Sequence, residues 1–80
     1  MSYPKKYGVG PSPTYPDRLF VLEFVNKPVH WIEAQGYEVF NTPQAAFDRC
    51  AALLKMRARF VKENQETLKS LASAWGVKFK

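Results

Sequence analysis

Reactive side chains are scarce in this sequence. It has one cysteine, Cys50, and one histidine, His30. A lone cysteine cannot close an internal disulfide, and the default is a reducing, cytoplasmic setting. Structural zinc takes about four Cys/His ligands at set spacing, so two candidates exclude it. A Cys50–His30 dyad would need an activated thiolate in polar surroundings, whereas Ala46, Phe47, Leu53 and Leu54 are the helical neighbours of Cys50. The acidic residues Asp17, Glu23, Glu33, Glu38, Asp48, Glu63 and Glu66 form neither a calcium loop nor a recognisable carboxylate pair. Gly8-Val9-Gly10 matches a fragment of the dinucleotide fingerprint, but no strand is expected before it and no helix after it. These absences predict a protein with no catalytic residues, no metal and no cofactor. No run approaches 18 apolar residues and the first residues lack the apolar stretch of a signal peptide, so neither a membrane span nor export is expected.

What remains is an ordinary globular composition: 80 residues, 46% apolar and 24% charged. That suits one small domain with a modest core. Twelve Lys/Arg against seven Asp/Glu give a net charge of +5, compatible with nucleic acid, an acidic protein or an anionic surface.

Residues 1 to 17 hold four of the six prolines and three of the four tyrosines, Tyr3, Tyr7 and Tyr15. Proline blocks helix and removes donors, so this segment reads as a flexible Pro/Tyr-rich arm. Residues 18 to 80 read as a single small α+β domain. Leu19 to Val25 is β-branched and aromatic, ended by Asn26-Lys27-Pro28. Val29 to Glu33 and Tyr37 to Phe40 read as a hairpin around Ala34-Gln35-Gly36, with Glu33 opposite Tyr37. Thr42 and Pro43 then open a helix, and Gly76 looks like its stop. The fold class is therefore α+β in β-β-β-α order: a three-stranded antiparallel sheet followed by one long or broken C-terminal helix.

An apolar position recurs every seven residues along that helix, at Phe47, Leu54, Val61, Leu68 and Trp75. Arg57 and Asn64 interrupt the companion row, where a charge must snorkel or pair and an amide could fix register. A continuous helix from Pro43 to Trp75 would be about 50 Å long at about 1.5 Å per residue. Strands of this length reach only about 17–24 Å. The distal row needs another partner, either by folding back or from a second chain. No glycine or proline marks a break, which favours one long helix and a homodimer. The first strand is apolar on both faces, with Phe20, Leu22 and Phe24 on one and Leu19, Val21 and Val25 on the other. One helix covers one face only, so the second face must also meet something.

Two functions fit. The first is a non-enzymatic protein-binding module, a small regulator or inhibitor, with Tyr3, Tyr7, Tyr15, Leu68, Leu71 and Trp75 as its contacts. In size and layout alone the chain resembles small accessory proteins of phages and mobile elements, starting at Met and stopping four residues after Gly76. The resemblance implies docking on a larger protein and blocking it. Positive charge makes the chain a poor mimic of DNA, so blocking would be steric or by competition for an acidic groove. The second is a small nucleic-acid-binding protein in which Lys55, Arg59 and Lys62 share one helix face and track phosphates.

Overall fold

The computed structural model describes residues 3–15, 18–56 and 62–79. Among the described residues the chain is α+β, with a three-stranded antiparallel sheet and three helices. The strands are β1 Lys6–Pro11, β2 Leu19–Phe24 and β3 Glu38–Phe40. The helices are α1 Val29–Ala34, α2 Pro43–Met56 and α3 Lys62–Ala74. The strand order is β2-β1-β3, so the N-terminal strand is the central one.

Lys6–Pro11 is thus a paired strand within the segment 1 to 17 that the sequence suggests is a flexible arm. Two prolines flank the pairing segment and the third stands at its end, where Pro11 faces Leu19. Gly8 and Gly10 are used because rings lie over them. A Cβ on Gly10 would come within 2.4 Å of Cδ1 of Tyr37, and one on Gly8 within 2.7 Å of Cε2 of Phe24. Low strand propensity at these glycines is outweighed by the aromatic cover their bareness permits.

Residues 29 to 34 are helical rather than the second strand of a hairpin, so Glu33 does not pair with Tyr37. Pro28, at φ −71° and ψ 151°, stands at the N-cap, and its carbonyl accepts from the N–H groups of Trp31 and Ile32. Gly36, at φ +95°, follows the last turn. A proline at the start and a glycine just beyond the end bracket a short helix. The β-branched Val29 and Ile32 and the aromatic Trp31 give the contrary signal that tertiary packing overrides. In place of the hairpin, β3 pairs with β1 in the register Tyr7 to Phe40, Gly8 to Val39 and Val9 to Glu38.

The C-terminal helix, expected as one long or broken helix, is described as two, α2 and α3. Fourteen residues of α2 span about 21 Å at about 1.5 Å per residue, matching a six-residue strand of about 20 Å. An unbroken helix of about 50 Å would outrun the molecule, whose longest extent is 41 Å. Residues 57 to 61, including Arg57, Arg59 and Val61, lie outside the described residues. Beyond them α3 runs back against α2: Gln44, in the first turn of α2, bonds both the N–H and the C=O of Lys78 at 3.0 and 2.9 Å. Both outer ends are where the sequence places them. Thr42 Oγ1 accepts from the N–H of Ala45 at 3.2 Å. At the far end Gly76, φ +68°, donates to Ser73 while Val77 donates to Ala72, the paired bonds of a Schellman stop.

Cross-strand partners project to the same side, so Val9, Val21 and Leu19 share one face of the sheet. With Phe47, Cys50, Leu53, Leu54, Leu68 and Ala72 they form the main core. Gly8, Gly10, Phe20, Leu22 and Phe24 occupy the other face. There α1 buries Ile32 and sets Trp31 edge-on to Phe24 at 6.3 Å, while Tyr37 also packs on Phe24, at 5.4 Å.

Candidate functional site

The row Leu68, Leu71 and Trp75, expected on a partner, packs within the chain. Leu68 is fully buried, and Leu71 and Trp75 are half-buried against the core. Trp75 meets Phe47 edge-on at 5.5 Å and Tyr7 at 5.6 Å. These three residues therefore pack on the chain's own core, while Val61 of the same row lies outside the described residues.

Asn64, read in sequence as a register-fixing amide in a helix seam, has a different task. It is 1% exposed, and its side chain bonds one residue of β2 twice. Its Oδ1 accepts from the N–H of Leu19 and its Nδ2 donates to the C=O of Leu19, both at 3.0 Å. Leu19 lies on an edge strand, and the amide supplies the pairing that a fourth strand would otherwise supply.

Around that contact, the described residues between β1 and β2 are tied together by hydrogen bonds. Ser12 donates its N–H to Arg18, and its hydroxyl accepts from the N–H groups of Thr14 and Tyr15. The Arg18 guanidinium lies 4.6 Å from the Tyr15 ring centre and 3.0 Å from the Glu63 carboxylate. Between these residues, the second face of β2 and the start of α3 is a groove of about 340 Å³. Pro13, Tyr15, Phe20 and Leu22 give it apolar walls, and Arg18, Asn64 and Thr67 give it polar ones. Phe20 and Leu22 are half-buried, and Tyr15 is 53% exposed. Arg18 and Glu63 cancel in charge, so the groove suits an apolar side chain with a few hydrogen-bonding groups rather than a phosphate.

Of the three tyrosines, only Tyr15 belongs to this groove. Tyr3 is exposed, its N–H donating to Oδ1 of Asn26, and Tyr7 is half-buried beneath Trp75. The two-faced apolar pattern of β2 is the sequence signal for Phe20 and Leu22. Nothing in the sequence singles out Pro13, Arg18 or Thr67, which only the β1–β2 connection and the returning helix bring together.

Of the basic row, Lys55 is exposed in the last turn of α2 and Lys62 is exposed as the first residue of α3. Arg59 lies outside the described residues. Lys55 and Lys62 belong to different helices, α2 and α3, and residues 57 to 61 between them lie outside the described residues.

Cys50 is buried, and that burial pushes its thiol up to about 12. At neutral pH it is a protonated core group rather than a nucleophile. His30 is exposed on α1, across the sheet from Cys50. Among the described residues no three His, Cys, Asp or Glu side chains are grouped to hold a metal, and no helix is long and apolar enough to cross a membrane. In comparisons with known proteins, no family model, curated protein or solved structure matches this chain.

Proposed function

We propose that the chain is a small non-enzymatic protein-binding module that docks through the groove beside β2 and the adjoining second sheet face, acting as a regulator or inhibitor by covering a partner's surface. The observation that carries the reading is the pairing of half-buried Phe20 and Leu22 with a 340 Å³ groove whose other walls are Pro13 and Tyr15. Trp31, Val25 and Val29 are also exposed, Val25 directly after β2 and Trp31 beside Phe24 at its far end. Aromatic and aliphatic anchors in a preformed concavity are the usual centre of a protein interface.

The test compares wild type with Leu22→Asp and Tyr15→Ala as immobilised baits, after matched circular dichroism spectra establish that the variants are folded. A partner that elutes from wild type and is lost from both variants supports the reading. Retention by both variants refutes it. The second reading, nucleic-acid binding, draws on exposed Lys55 near the end of α2 and exposed Lys62 at the start of α3. Anisotropy with labelled DNA and RNA at two salt concentrations decides it: salt-sensitive binding lost in a Lys55→Glu, Lys62→Glu double variant would promote it above the first.

A further inference from the structure

A second concavity lies at the other end of β2. Tyr7, Glu23, Pro43 and Trp75 line a cavity of about 220 Å³. Tyr7 and Glu23 are direct cross-strand partners, so their side chains stand side by side on one face. The Trp75 ring centre is 5.6 Å from that of Tyr7, and the planes meet at 61°, so the rings touch edge to face rather than stack. Phe47 backs Trp75 at 89°, and Pro43 closes the third side from the capped first turn of α2. The Glu23 side chain is 40% exposed at the mouth.

Two electron-rich rings and a carboxylate select a cation. An anion would meet Glu23, and a neutral apolar ligand would strip water from that carboxylate with nothing in exchange. Among cations, an alkylated ammonium loses less hydration than a primary amine and lays its methyl groups on the aromatic faces. We propose that the cavity bordered by Tyr7, Trp75, Glu23 and Pro43 binds one alkylated ammonium group, of the choline or methylated-lysine kind. The volume lies below the roughly 300 Å³ from which drug-sized pockets start, which suits a single headgroup. The chain's own Lys5 already lies loosely there: its Nζ is 3.8 Å from Glu23 Oε1 and its side chain is 53% exposed, a contact a better-fitting cation displaces. The site shares no residue with the groove beside β2 and stands independently of it.

The test is an NMR titration of the unmodified chain, following the Trp75 indole N–H, assigned by its retention in Trp31→Phe. Choline is titrated beside its uncharged carbon isostere 3,3-dimethylbutanol, and a trimethyllysine peptide beside the same peptide unmethylated. The expected result is a saturable millimolar shift with choline or the methylated peptide, and none with the isostere or the unmodified peptide. The tighter of the two cations identifies the source. Glu23→Gln weakens the effect about fivefold, and Lys5→Ser strengthens it by removing the internal competitor. Equal shifts from choline and its isostere, no shift from any cation, or indifference to Glu23→Gln would each overturn the proposal.

Discussion

Asn64 carries the sharpest prediction. Its amide is the partner of both backbone polar groups of Leu19, a residue 6% exposed on the outer edge of β2. Asn64→Leu keeps the volume and removes both bonds. Each buried group left unpaired costs about 1–3 kcal/mol, and the added apolar burial returns part of this, so the expected net loss is about 1–3 kcal/mol. A domain of 80 residues has about 4–12 kcal/mol in total, so the loss is a large fraction of it. In urea, with a slope of about 1 kcal/mol/M, the midpoint falls by about 1–3 M. The Leu19 amide should also lose hydrogen-exchange protection while the amide of Phe20 keeps it. Asn64→Asp adds a pH signature. A protonated carboxyl can restore both bonds, whereas its ionised form is buried facing the Leu19 carbonyl. The folded-state pKa of the introduced group is therefore raised above its unfolded value near 3.9. Relative to wild type, the variant is most stable below that value and loses stability as pH rises through the folded pKa. An Asn64→Leu loss under about 0.5 kcal/mol, or an Asn64→Asp difference that is flat between pH 3 and pH 7, would refute the pairing argument.

The remaining predictions concern backbone and burial. Gly10→Ala places a Cβ 2.4 Å from the Tyr37 ring and 2.8 Å from the Gly36 carbonyl, and should cost about 2 kcal/mol or more by thermal melt. Gly76→Ala forces a side chain into φ +68° with open space around it, so the penalty is conformational alone, about 1 kcal/mol. Cys50 should resist a thiol reagent at pH 8 in the native state and react only under denaturant. Because burial raises Cys50 to about 12 and raises Tyr37 above its usual 10.0, both groups hold protons longer when folded. Their contribution to stability is intact below about pH 9 and falls as pH rises towards 12, a decline that alkaline denaturation curves should show.

Some of this architecture is legible in the residues. Thr42-Pro43 and Gly76 announce helix ends through chemistry local to a few positions, and the β-branched run of β2 needs no context. The central strand is not legible, because Lys6-Tyr7-Gly8-Val9-Gly10 becomes a strand only when Phe24 and Tyr37 cover its glycines. In α1 the side chains of Val29, Trp31 and Ile32 argue for a strand while Pro28 and Gly36 argue for a helix, and the bracketing pair is the truer signal. The reversal between α2 and α3 has no glycine or proline to mark it. Its sign in sequence is the mismatch between helix length and strand length, which leaves open whether the distal apolar row turns home or meets another chain. The groove beside β2 inherits that ambiguity, since Thr67 and Asn64 reach it only through the reversal.

A central strand that precedes both its neighbours in the sequence has a consequence for the order of assembly. β1 can pair with β2 after a short turn, but its other neighbour, β3, lies about thirty residues further along, and Trp75, which packs on Tyr7, lies 68 positions beyond it. A growing chain therefore holds an early two-stranded ribbon with one flank of β1 unpaired until the middle of the sequence has been made. An isolated hairpin is marginal in water, so commitment to the fold waits for the last helix. Folding should accordingly be limited by distant contacts rather than by helix formation. A peptide copy of residues 3–15 supplied in excess would compete for the central slot, slowing refolding without disturbing the finished protein.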